Sequence, residues 1–353
     1  MDPRDPLGVA ARERRRLLLT AGLALACLAS AALALAVGAV AVAPGTLLRL
    51  LAAAAGLGLE PTWTPVEETV VLAVRLPRVL LGLAVGAGLA VCGVVLQAVV
   101  RNVLADPYLL GVNSGASTGA AAALLLGAGA GLGEHALTGS AFAGALAAGA
   151  LVLAVARSAG QVTPVRVLLA GVAVGYALTA TTSFLVFASG SAEGARSVMF
   201  WLLGSLGLAR WGAPLAVVVA VVALTLALLL LWAPQLDALA LGDETARTLG
   251  TSPAALRTRL LVLVAACVGV LVAASGSIGF VGLVVPHLAR RLVGAAHRWV
   301  VPVSALLGAG FLVLADLVAR TLLAPQELPI GIVTALVGAP FLLVLVRGLH
   351  AAR

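Results

Sequence analysis

A chain of 353 residues that is 62% hydrophobic and only 10% charged lies far from the roughly 25% charge of soluble domains, which excludes a soluble enzyme and leaves no room for a soluble domain. The net charge of +8 comes from 22 basic residues, all of them Arg, gathered at the ends of apolar runs where they set membrane topology and do not form a nucleic-acid surface. With no Lys anywhere, the phosphate loop GxxxxGK[ST] cannot occur, so the chain binds no ATP in that manner.

In chain order, Arg12 to Arg16 precede a first apolar run at 17–43 that continues past any cleavage-like site. An uncleaved first helix is expected, with a cytoplasmic tail over residues 1–16. Ala24-Leu25-Ala26-Cys27 resembles a lipoprotein site only loosely, because Leu is missing three residues before the Cys. Further runs fall at 70–100, 109–126, 136–156, 167–188, 214–232, 260–274, 278–293, 300–323 and 330–346. Runs of about 18 residues cross a hydrocarbon core of about 30 Å as helices, so these runs predict ten crossings in one all-α polytopic domain over 1–353. The seventh and eighth are short and separated only by Ser275-Gly276-Ser277. Arg257 and Arg259 before that pair and Arg290 and Arg291 after it belong on one side, which requires two crossings between them.

With the N-terminus inside, sixteen arginines, Arg4 and Arg353 among them, are cytoplasmic, and six are outside: Arg49, Arg75, Arg78, Arg196, Arg210 and Arg320. That asymmetry places both termini in the cytoplasm. Trp63, Trp201, Trp211, Trp232 and Trp299 fall near predicted helix ends, where indoles favour the interface. Spaced small residues such as Gly82/Gly86 and Gly171/Gly175 predict close helix packing. Cys27, Cys92 and Cys267 lie singly in apolar sequence and are expected to be core residues. Gly127, Gly129, Gly131 and Gly133 predict an external turn, and 191–211 a short helix along the outer surface.

Polar residues inside the runs are few. Thr179, Thr181, Thr182 and Ser183 in the fifth, with Asn113, Ser114, Ser117 and Thr118 in the third, serve either helix-to-helix hydrogen bonding or the wall of a wetted path. Asp316 and Arg320 stand one turn apart and allow a local ion pair. No carboxylate sits at the middle of a span, which argues against a proton- or sodium-coupled transporter, and the lone His287 reads as packing. Neither a metal constellation nor a catalytic one can be assembled, so no cofactor, no metal and no enzyme activity are expected. The largest polar interruption is LALGDETARTL at 239–249, within a cytoplasmic segment at 233–259. On a helix, Asp243, Glu244 and Arg247 share an exposed face, and Leu239, Ala246 and Leu249 make an apolar knob on another, a shape suited to being gripped by a partner.

Five phrases in order resemble the FecCD-type permeases, the membrane subunits of ABC importers for ferric siderophores, haem and vitamin B12. They are RLPRVLLGLAVGAGLAVCGVVLQAVVRNVLADPYLLGVNSGAS from Arg75, LLAGVAVG from Leu168, GDETARTLG from Gly242, SGSIGFVGLVVPHLARR from Ser275, and ADLVAR followed by ELPIGIVTALVGAPFLLVLV. The resemblance implies a type II importer permease of ten helices in the bacterial cytoplasmic membrane. Its implied partners are two ATPase subunits, an extracytoplasmic substrate-binding protein, and a second copy or a related permease chain. It further implies that Leu241, Gly242, Asp243, Glu244, Ala246, Arg247, Leu249 and Gly250 form the coupling segment held by the ATPase. By the same resemblance, Arg75, Arg78 and Arg320 pair with carboxylates of the binding protein. A ferric siderophore is the expected cargo, with haem or cobalamin as alternatives.

Overall fold

The computed structural model describes residues 9–38, 40–58, 60–158 and 162–351. The first half of the predicted tail, with Arg4, and the terminal Arg353 lie outside the described residues. Among those described there is no strand. The chain runs through α1 (Val9–Ala36), α2 (Pro44–Ala54), α3 (Pro65–Glu68), a π-turn at Thr69–Arg75, α4 (Leu76–Val100), α5 (Val112–Leu126), α6 (Ala136–Ser158), α7 (Pro164–Ala188) and α8 (Ala192–Leu202). It continues through α9 (Ala213–Leu231), α10 (Ala233–Leu241), α11 (Asp243–Thr248), α12 (Pro253–Ser275), α13 (Val281–Val293), α14 (His297–Thr321) and α15 (Ile330–Ala351).

Each of the ten predicted runs coincides with a helix: α1, α4, α5, α6, α7, α9, α12, α13, α14 and α15. Seven helical stretches among the described residues are long and apolar enough to cross a membrane. Two of the others, α5 with 15 residues and α13 with 13, are short for a physical reason. Each follows an irregular segment, residues 101–111 and 276–280, that folds back into the bundle. The two segments meet where the Tyr108 hydroxyl accepts from Ile278 N at 2.8 Å and donates to Ile278 O at 3.0 Å. Irregular backbone at membrane depth is tolerated only when protein supplies such partners. The first run also departs from expectation: α1 stops at Ala36, and α2 follows as an amphipathic helix that buries Leu47 and Leu50.

The core is organised around α4, nearly all of which is buried against α9, α12, α13 and α14. Contact between backbones explains why. Gly86 of α4 lies against Gly308 of α14, and Gly93 against Gly282 of α13. On the opposite flank, Gly115 of α5 and Gly144 of α6 face each other. Lipid offers helices no hydrophobic drive to associate, so these approaches supply the dispersion contacts that hold the bundle. Of the predicted small pairs, Gly86 and Gly171 make the close approaches, Gly171 to the Leu109 carbonyl. Gly82 and Gly175 meet side chains, Leu206 and Val313 for the first and Ser114 for the second. The three cysteines are free and buried, as expected of core residues. The short outer helix is α8, whose Ser191 hydroxyl caps the Gly194 amide at 3.0 Å.

Candidate functional site

Two polar constellations stand out, one at each end of the bundle. At the cytoplasmic end, Gly242 breaks the chain between α10 and α11 at φ +130°, a backbone that L side chains rarely adopt. Asp243 and Glu244 open α11 and Arg247 closes it, each matched to the helix dipole. Asp243 is not a free surface group. It accepts from Arg257 Nη1 at 2.7 Å and Nη2 at 2.5 Å, and Arg101 Nη2 lies 3.2 Å away. Arg257, on α12, is 1% exposed and also donates to the Val99 carbonyl at 3.4 Å. Arg101 ends α4 in the left-handed conformation. Asp243 thus ties α11 to the inner ends of α4 and α12. Hydrogen bonds from Arg257 hold its carboxyl below the usual range despite partial desolvation.

This geometry corrects the predicted surfaces of the segment. Leu239 and Ala246 are fully buried against the bundle, while the exposed apolar residues are Leu241 and Leu249. The outward surface of the segment therefore consists of Glu244, Arg247 and Thr248 on α11 with Leu241, Leu249 and Gly250 flanking it, and Gly242 and Asp243 are half-buried at its base. A further anchor lies in α10, where Asp237 accepts from the backbone N of His297 at 2.9 Å and pairs with its Nδ1 at 2.6 Å. Burial raises the Asp237 carboxyl pKa, and the His297 hydrogen bonds outweigh that and lower it. Arg101, Asp237 and His297 were not singled out by sequence reasoning, and Arg257 was read only as a topology marker. An Arg in the first turns of an apolar helix, 14 residues from an Asp of the polar segment before it, is the signal that could have found the Arg257–Asp243 pair.

At the outer end the structure brings Arg75, Arg78 and Arg320 together, and it corrects the expectation that all three face outward. Arg75 is 4% exposed and donates to the carbonyls of Leu35 at 2.7 Å, Ala36 at 3.1 Å and Val40. Arg320 donates to the Ala34 carbonyl. Both are turned inward because the last carbonyls of α1 have no helical partner and recruit the guanidinium groups. The expected pairing of Asp316 with Arg320 is present at 3.8 Å, but the closer partner is Arg78. Arg78 Nε meets both Asp316 oxygens at 3.1 and 3.0 Å, and Nη2 meets Oδ1 at 2.9 Å. Glu327 takes the rest of that guanidinium through Nη1 at 2.9 Å and Nη2 at 3.0 Å.

The hydroxyl residues of α7 divide by face. Thr182 is 6% exposed, shares a 2.9 Å hydrogen bond with Thr118 of α5 and donates to the Leu178 carbonyl at 3.0 Å. It binds helix to helix, which corrects its place in a path wall. Thr179 touches Ser114 at 3.3 Å at the edge of the same seam, whereas Thr181 and Ser183 are exposed outside it. A water-soluble thiol reagent is accordingly expected to label Thr181→Cys and to spare Thr182→Cys in the assembled permease. Equal labelling of both would remove the division.

A family model described as the FecCD transport family matches residues 24–348. The cobalamin import system permease protein BtuC of Halobacterium salinarum is 45% identical over 280 residues, covering 79% of this chain and 74% of that protein. The Fe(3+)-citrate import system permease protein YfmD of Bacillus subtilis is 40% identical over 286 residues, covering 80% and 82%. A solved structure assigned to the metal-chelate type of ABC transporter, in an inward-facing conformation, superposes with a TM-score of 0.81 at 35% identity, covering 94% of this chain and 99% of that one.

Proposed function

Because the chain belongs to the FecCD transport family of multi-pass importer permeases, we propose that it forms the path by which an ATP-driven importer takes a ferric siderophore from a substrate-binding protein. The reading rests on the outward face of α11, turned away from the bundle. A short helix that exposes Glu244 and Arg247, with Leu241 and Leu249 exposed at its two ends, and whose first residue is fixed to α4 and α12 through Arg101 and Arg257, can transmit a push from a partner without bending. Two ATPase subunits would supply that push through grooves that close on nucleotide. A second copy of the chain, or a related permease, completes the path, and the chain itself needs no cofactor. Arg78 meets the binding protein at the outer end, and Arg75 and Arg320 hold the platform around it.

Cobalamin is the second reading, favoured by the 45% identical cobalamin permease, and haem belongs to the same class of large metal chelates. Vesicles holding the permease with its ATPase, and given the substrate-binding protein outside, should take up labelled chelate when ATP is supplied inside, and the chelate accumulated identifies the cargo. Replacing Glu244 and Arg247 together by Ala is expected to lower uptake at least about tenfold, a loss of coupling of about 1.4 kcal/mol or more, while ATP hydrolysis continues. Full uptake by that double variant would remove α11 from the mechanism. Uptake that stops when ion gradients collapse, with ATP still present, would point to a secondary transporter.

A further inference from the structure

Arg78 is held by two carboxylates that are not equivalent. Asp316, on α14, has a side chain 5% exposed, and Glu327, on the loop before α15, has one 49% exposed. An exposed ion pair exchanges with solvent and competitors easily, while a buried one resists being broken. Glu327 is therefore the replaceable ligand of Arg78 and Asp316 the permanent one. Around them the cluster holds three cations, Arg75, Arg78 and Arg320, against these two carboxylates. One further carboxylate is electrostatically welcome. Beside the pair opens an outer recess of about 1210 Å³ whose wall includes Glu327, Trp201, Trp211, Arg196 and Arg210. It has room for an incoming acidic side chain, and Glu134 and Glu193 on its wall offset Arg196 and Arg210, so the attraction for that side chain comes from the Arg75, Arg78 and Arg320 cluster.

We propose that Glu327 is a stand-in for the partner: on docking, an acidic side chain of the substrate-binding protein displaces Glu327 from Arg78 and takes over both guanidinium hydrogen bonds. This rests on the reading that the outer arginine cluster receives the binding protein, and it deepens that reading by assigning the docking contact to Arg78 alone. Arg75 and Arg320, committed to the end of α1, support the site without entering the exchange. Docking on this scheme is a swap of one carboxylate for another, so Arg78 is never left bare.

The test uses the full-length permease in nanodiscs and the substrate-binding protein that co-purifies with it, with affinity measured at low salt. Glu327→Gln removes the competitor and is expected to tighten docking about two- to fivefold, the range of an exposed pair. Glu193→Gln, which alters an acidic residue on the same recess that is not bonded to Arg78, should leave affinity unchanged. In an Arg78→Gln background, Glu327→Gln should lose its effect, since the two act as one unit. Should Arg78→Gln fail to give a monodisperse protein, Arg78→Lys, which keeps the charge but loses the fork geometry, takes its place in the cycle. Unchanged or weaker docking by Glu327→Gln, alongside weakening by the Arg78 variant, overturns the exchange and leaves the docking reading intact. Docking indifferent to the Arg78 variant overturns the docking reading itself. Equal tightening by Glu193→Gln reduces the effect to diffuse charge and also overturns the exchange.

Discussion

Gly86→Ala should fail to yield a stably folded permease, whereas Gly82→Ala, one turn away on the same helix, should fold. A Cβ on Gly86 would stand 2.7 Å from the Gly308 carbonyl carbon, closer still to its oxygen, and 2.9 Å from Leu312 Cβ. The obstacle is backbone on both sides, and Gly308 faces the Gly86 carbonyl in the same way. Relief requires α4 and α14 to move apart along one of the most extensive contacts of the bundle. In lipid no hydrophobic drive pulls them together again. Overpacking of this kind exceeds the usual range and should destabilise by more than about 3 kcal/mol. At Gly82 the neighbours are the ends of Leu206 and Val313 side chains, at 3.2 and 3.3 Å. They can yield, and a loss below about 1.5 kcal/mol is expected. Folded yield by gel filtration and unfolding in detergent compare the two, and equal stability would refute backbone contact as the organising feature of the core.

The second large effect concerns Asp243 and Arg257, and it is asymmetric. Asp243→Ala strands a guanidinium that is 1% exposed, with only the Val99 carbonyl left to it. Removing one partner of such a buried charge costs about 3–5 kcal/mol. Arg257→Met instead removes the buried charge and leaves a carboxylate 27% exposed that still has Arg101 beside it. That loss should be nearer about 1 kcal/mol, and the double variant should recover most of what Asp243→Ala loses. Both single variants should also cut uptake while ATP hydrolysis by the partner persists, because α11 is no longer fixed to α12. An Arg257→Met variant less stable than Asp243→Ala, or full uptake by either, would contradict the proposed joint. Acid acts in the same direction. A carboxyl depressed on folding adds stability above its unfolded pKa of about 3.9 and loses it as pH falls through the folded value. Hydrogen bonding from Arg257 depresses Asp243 in this way, so wild type should lose this contribution in acid and Asp243→Ala should have none to lose.

The helices were legible in the sequence because an apolar run decides its own state in lipid, where every backbone group must be satisfied internally. That is why all ten runs coincide with helices even though α5 and α13 are short. The polar segment at 239–249 was legible for the complementary reason, since charges between spans must leave the bilayer. What the residues do not declare is the direction in which a side chain turns. Leu239 and Ala246 read as part of an apolar knob, and only the packing of α10 and α11 beneath the bundle shows that they are anchors. Arg75 and Arg320 were placed on the correct side by charge asymmetry, but their orientation depends on where α1 ends. That end lies at Ala36, seven residues before the apolar run does. Glu327 was invisible as a functional residue because its importance comes entirely from Arg78, which is 249 positions away in sequence.

α1 is a strap with a buried clasp at its outer end and an exposed, easily opened one at its inner end. Its most apolar window is only 6% buried, so most of its length lies free of the rest of the bundle. Its outer tip is gripped by Arg75 and Arg320, and near its inner end Glu13 pairs with Arg298 at 2.8 Å. The distance between the clasps is set by the rest of the protein and does not follow the surrounding bilayer. A membrane thicker or thinner than that distance should open the inner clasp before it disturbs the core, which makes α1 a part of this permease that responds to the composition of its lipids.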